Sequence, residues 1–171
     1  MELIENHAQF FTATIKDWKH LLSPDKYKDI IIESFTFLVN EKRVFIYAFV
    51  IMSNHLHVIW QMREGWKRED VQRDFLKYVS GRLKDDLITN HPLVLAHFKV
   101  KSKDSHYQFW KRRALGIDLY SDDVFFQKLN YIHNNPVRAG LCSFGEEYPY
   151  SSAGFYVGKV CRFEFLTHYQ G

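Results

Sequence analysis

The chain has 171 residues, 46% of them hydrophobic, which is enough for one domain with a substantial core and argues against global disorder. Its net charge of +3 is too mild to mark a general polyanion binder, so any nucleic-acid surface has to come from local clusters. No apolar run is long enough to span a bilayer, which argues against a membrane protein.

Residues 1–7 lack the basic start and apolar stretch of a secretory leader. Cys142 and Cys161 have neither metal-site spacing nor the density of a disulfide scaffold. Both observations point to a cytoplasmic protein. Residues 10–15 are aromatic and β-branched, and Lys16-Asp17 ends them as a first strand. Ser23-Pro24 has the form of an N-cap with proline at the first helical position. Tyr27, Ile30, Ile31, Phe35 and Leu38 follow at helical spacing, predicting a helix to about Val39.

A polar turn at Asn40-Glu41-Lys42 leads into residues 44–52, which are nearly all apolar. Ser53-Asn54 separates these from a second apolar run, residues 55–62, and the pair predicts an antiparallel hairpin covered by helices on at least one face. Residues 69–87 predict a second amphipathic helix with Val71, Phe75, Tyr78, Val79, Leu83 and Leu87 on one side. Residues 94–100 and 107–110 are candidates for further strands. The order β-α-β-β-α-β predicts an α+β fold, a ferredoxin-like antiparallel sheet with helices packed on it.

A third helix should begin at Ser121, with Asp122 and Asp123 in its favourable first turn. Phe125, Leu129 and Ile132 make its apolar stripe, whereas Gln127, Tyr131 and Asn135 fall on a separate polar stripe. Pro136 disfavours helix at Asn135, so the helix is expected to stop there. Residues 1–171 are therefore expected to form a single domain, with 155–171 as an extension docked through Phe163 and Phe165.

Two short segments carry the chemistry. On a strand, His55 and His57 project to one face, where two imidazoles can share a divalent metal and leave positions open. Tyr131 offers a phenol, but a free phenol ionises only near pH ~10 and is a poor nucleophile at neutrality. It needs an adjacent cation. Asn135, one helical turn on, can supply a third ligand and so place a metal beside Tyr131. Metal-assisted attack of a tyrosine on a phosphodiester follows as the chemistry these residues suggest.

These segments resemble those of the HUH single-tyrosine transposases, specifically the REP-associated tyrosine transposases. The resemblance rests on Ser53-Asn54-His55-Leu56-His57 and on Tyr131-Ile132-His133-Asn134-Asn135-Pro136-Val137-Arg138-Ala139-Gly140-Leu141. Leu119-Tyr120-Ser121 and Tyr148-Pro149-Tyr150-Ser151-Ser152-Ala153 add to it, and it extends over about residues 10–155 in the expected order. It implies that a C-terminal helix carries a catalytic tyrosine, Tyr131, which cleaves and rejoins single-stranded DNA beside hairpins through a 5′-phosphotyrosine. It also implies Mg²⁺ or Mn²⁺ held by His55, His57 and a side chain one turn after the tyrosine. Insertion-sequence relatives typically have glutamine there, whereas this chain has Asn135, with His133 as the substitute ligand if the helix has already unwound.

The expected partner is single-stranded DNA with hairpins. Arg68, Arg73 and Lys77, the run Lys111-Arg112-Arg113, and Arg138 are candidate DNA contacts. The family includes dimers, so a homodimer is open to this chain. Two other functions fit the same residues: a domesticated hairpin-DNA-binding module without turnover, and a phosphodiesterase that uses metal-activated water.

Overall fold

The computed structural model describes residues 7–171, so the leader expectation for residues 1–6 lies outside the described residues. Four strands form one antiparallel sheet: β1 (Gln9–Thr14), β2 (Val44–Ile51), β3 (His55–Met62) and β4 (Leu115–Asp118), in the spatial order β2-β3-β1-β4. Two helices, α1 (Asp25–Asn40) and α2 (Arg68–Asn90), cover one face, and α4 (Asp122–Arg138) crosses the other. This is the expected α+β layer arrangement.

Strand periodicity sorts the β3 side chains between the two layers. Leu56, Val58, Trp60 and Met62 join Phe35 of α1 and Phe75 of α2 in the larger core. His57 and Ile59 face α4, where Ile59 packs with Phe10, Leu129 and Ile132. In β2 the register shifts between Ile46 and Ala48, and this bulge reverses the alternation. Val44 and Ile46 therefore share the larger core with Phe49 and Ile51, while Ala48 and Val50 face α4.

The expected strand at residues 94–100 is absent. Pro92 instead opens a short helix, α3 (Pro92–Ala96), as suits a residue with fixed φ at a first helical position. Residues 107–110 form no strand of their own. Trp110 makes a single bridge to Ile15, and residues 112–114 then bulge before β4 resumes the pairing with β1. The fourth strand is thus Leu115–Asp118, four residues long and exposed at its start, which gave no alternating apolar signal.

Pro136 does not end α4. The helix runs three residues further, to Arg138, because Gly140 stops it: Gly140 takes φ 74°, its N–H donates to Val137 O, and the Leu141 N–H donates to Pro136 O. Ser121 caps the other end by accepting from the Val124 N–H at 3.3 Å.

The C-terminal segment docks, as expected. Ile51 donates to Tyr150 O and Thr167 donates to Ile46 O, so residues 150–167 pair along the outer edge of β2; a short helix, α5 (Ala153–Tyr156), lies between these contacts. β3 is an interior strand and β2 is covered by its own chain, so neither offers a second copy a free edge beside His55. Among the described residues no helix is long and apolar enough to cross a membrane.

Candidate active site

His55 and His57 lie on the β3 face that α4 covers, with ring centroids 4.8 Å apart. Each ring is held through Nδ1. The Asn54 Oδ1 lies 2.7 Å from His55 Nδ1, and because a side-chain amide oxygen only accepts, His55 carries its proton on Nδ1. Thr12, directly opposite His57 in the β1–β3 register, places its hydroxyl 2.7 Å from His57 Nδ1. The Nε2 of His57 is buried with no hydrogen-bond partner among the described residues.

Burial disfavours the protonated form of both imidazoles. Burial lowers the His55 pKa. His57 is pushed down to about 3, first by burial and then by the charges of His55, Arg138 and Lys128. A neutral ring that carries its proton on Nδ1, as His55 does and as His57 does when the Thr12 hydroxyl accepts from it, keeps a lone pair on Nε2, which is the form a metal requires.

Asn135 reaches this pair from α4. It is 8% exposed, and its Nδ2 lies 3.4 Å from His55 Nε2. The contact needs an acceptor lone pair on His55 Nε2, consistent with the Nδ1–H tautomer. Turning the amide over presents Oδ1 in the same place, giving two imidazole nitrogens and one oxygen. The donor set contains no carboxylate; among the described residues no group of three His, Cys, Asp or Glu side chains is placed to hold a metal. The orphaned, buried His57 Nε2 is the observation that fits a divalent ion here.

Tyr131 lies four residues before Asn135 on the same helix face, with its ring centroid 5.4 Å from that of His57 and 5.9 Å from that of Phe10. It is 39% exposed, so solvent and a ligand can reach it. Two cations flank it. The Arg138 guanidinium sits 4.2 Å from its ring centroid and donates to the Tyr131 carbonyl, and the Lys128 ammonium is 5.6 Å from the same ring. Arg138 is thus placed with Tyr131, whereas Lys128, one turn before it on α4, escaped the sequence patterns. Thr12 also carried no signal, since its role depends on strand register, but Asn54 stood beside His55 in the motif itself.

The condition under which His133 would replace Asn135 as ligand is not met. The helix has not unwound, and His133 Nε2 lies 2.9 Å from Ser152 Oγ. Burial holds the His133 pKa down at about 4. Ser152 also binds the backbone of Phe49, so the Tyr-Pro-Tyr-Ser-Ser-Ala segment ties β2 to α4.

The basic residues divide between two regions. Lys111 donates its backbone N–H to Thr14 O, and Thr14 is opposite His55 on the neighbouring strand. The Lys111-Arg112-Arg113 run therefore bulges from the sheet edge about two strand spacings, or ~10 Å, from His55. Arg73 and Lys77 are exposed on α2, with the sheet between them and Tyr131, and Arg73 is paired with Asp70 and Asp74. Arg68 is paired with Asp118 at 2.7 Å. The structure does not bring these three α2 residues to Tyr131 and the histidine pair.

No protein-family model and no curated protein matches the chain. Among solved structures, a REP-associated tyrosine transposase bound to a REP hairpin superposes with a TM-score of 0.69, covering 96% of this chain and 93% of its own at 18% identity. A candidate transposase from Deinococcus radiodurans R1 gives a TM-score of 0.49, covering 74% of this chain and 88% of its own at 13% identity. The first of these shares the fold described here over nearly its full length.

Proposed function

We propose that this chain is an HUH-type tyrosine transposase that cleaves and rejoins single-stranded DNA beside hairpins, with Tyr131 as nucleophile. The observation that carries this reading is the convergence of Tyr131, Asn135 and the unpartnered His57 Nε2 from two elements 74 residues apart in sequence, Tyr131 against His57. The shared fold of a hairpin-bound REP-associated tyrosine transposase supports the same assignment and the DNA partner.

In the first step the Tyr131 oxygen attacks a backbone phosphorus, a Tyr–O–P bond forms and the P–O3′ bond breaks. The departing 3′ oxygen takes up a proton, and the 5′ phosphate stays on Tyr131. In the second step another 3′-hydroxyl attacks the phosphotyrosine and releases the phenol. The energy of the broken bond is kept in the phosphotyrosine, so no nucleotide cofactor is needed.

Arg138 and Lys128 place positive charge around the phenol, where it stabilises charge developing on the phosphate. Phe10 packs against both His57 and Tyr131 and fixes their separation. His55, His57 and Asn135 would hold the divalent ion. When bound, Mg²⁺ or Mn²⁺ supplies Lewis-acid polarisation of the phosphate.

The carboxylate-free donor set favours a second reading, a hairpin-DNA-binding module that no longer turns over. One experiment separates the two. Purified protein is mixed with labelled hairpin oligonucleotides carrying randomised single-stranded flanks, in Mn²⁺ or in EDTA. The enzyme reading predicts an SDS-resistant protein–DNA band in Mn²⁺ alone. Tight hairpin binding with no such band in any divalent metal supports the binding module.

A further inference from the structure

The connection from β1 to α1 presents an aromatic ring that belongs to neither core. Asp17 and Trp18 both take left-handed backbone conformations, with φ of 57° and 56°. Two consecutive residues with Cβ atoms in that region carry a steric penalty, and such strain tends to sit at functional sites. Backbone bonds enforce it: the Trp18 N–H donates to Ile15 O at 3.0 Å, and Leu22 donates to Ser53 O at 2.8 Å.

The result is an indole 56% exposed to solvent, with its centroid 6.4 Å from that of His55 and the ring planes at 69°. The Lys111 ammonium lies 5.6 Å from the indole centroid. Asn54 ties this ring to the candidate metal ligands, since its Nδ2 donates to Trp18 O at 3.4 Å while its Oδ1 accepts from His55 Nδ1. A strained turn thus holds a wide π surface and a cation beside His55, joined to it by one side chain.

We infer that Trp18 is a stacking platform for an unpaired nucleobase of the DNA strand whose phosphate meets Tyr131, with Lys111 contacting an adjacent phosphate. The inference rests on the proposed function and names how that site grips its substrate. Stacking on an aromatic face is tolerant of base identity, while a nearby ammonium tracks the backbone, and the two together are the usual elements of single-strand binding. Trp66 provides the contrast. It is 37% exposed, but the Arg43 guanidinium sits 4.4 Å over its ring.

The test is equilibrium binding in EDTA, read by fluorescence anisotropy, so that no chemistry intervenes. The probes are a labelled hairpin with an unpaired tail of about ten thymidines on either side, and the same hairpin with abasic tails. Trp18→Ala is expected to weaken binding of the thymidine-tailed hairpin about 10-fold or more and to leave the abasic-tailed one unchanged. Trp18→Phe should stay within about threefold of the parent chain, and Trp66→Ala should have no effect.

Equal binding of the thymidine tail by the parent chain and Trp18→Ala would overturn the inference. So would an equal loss on both tails, which would show a structural role instead. Failure of the parent chain to bind either hairpin would overturn both the inference and the proposed function. Trp18-dependent stacking without any Tyr131-linked adduct leaves this subsite standing and removes the transposase reading. An adduct that forms normally in Trp18→Ala, with thymidine-tail binding unchanged, does the opposite.

Discussion

Acid should unfold this protein through two histidines that fold without a proton. His57 is held down to about 3 and His133 to about 4, both chiefly by burial. In an unfolded chain each ionises near ~6.5. Below that pH the unfolded chain takes up protons that the folded chain refuses, so the stability present at pH 7 and above falls away as pH drops. The loss continues until pH approaches the folded values, where the native state begins to accept the protons as well. At pH 5, about 1.5 units below the unfolded value, each histidine costs about 2 kcal/mol, or about 4 kcal/mol together. For a chain of this length that corresponds to a Tm lower by about 8–16 °C than at pH 7.5. Urea unfolding from pH 7.5 to 4.5 in EDTA measures it directly, with His57→Gln and His133→Gln in parallel. Each variant is neutral throughout and should remove about 2 kcal/mol of the acid-dependent loss at pH 5. If His57→Gln loses stability with acid as steeply as the parent chain, then His57 is charged when folded. Its Nε2 would then not be a free metal-facing lone pair, and the account of the site would fail.

Removing the brace on His55 should weaken metal binding: Asn54→Ala is expected to lower Mn²⁺ affinity by about 10–100-fold, measured by calorimetry, with little change in the circular dichroism spectrum. Lys128→Ala should slow adduct formation at saturating DNA by about 10-fold or more while leaving Mn²⁺ affinity nearly unchanged, as expected of a group that acts on the phenol and phosphate. Gly145 has no room for a side chain, since an added Cβ would meet the carbonyl oxygen of His133 on α4. Gly145→Ala should therefore cost about 1–3 kcal/mol in urea unfolding.

The parts of the fold legible in the sequence were those in which one residue type repeats at one period. The hairpin around Ser53-Asn54, both long amphipathic helices and the Ser121 cap appear as the spacing predicts. The placement of His55 and His57 on one face follows from strand alternation alone. What escaped depends on partners distant in sequence. Thr12 matters only because register sets it opposite His57, and Lys128 only because α4 crosses that face. β4 escaped because an edge strand of four residues beginning with exposed Leu115 and Gly116 has no apolar alternation to detect. The end of α4 escaped because Pro136 drew the boundary, although Gly140 holds the left-handed stop. The α2 cations lie across the sheet from Tyr131 because the polar side of a helix points away from the core it covers, whichever sheet face that core occupies.

The central claim is that Tyr131 forms the covalent bond to DNA. The direct measurement is to trap the adduct in Mn²⁺, digest the DNA with nuclease and the protein with trypsin, and locate the residual nucleotide by mass spectrometry. The account predicts a single modified peptide carrying a 5′-linked nucleotide on Tyr131, and no adduct from Tyr131→Phe. A nucleotide on another residue, or metal-dependent cleavage that persists in Tyr131→Phe, would contradict it.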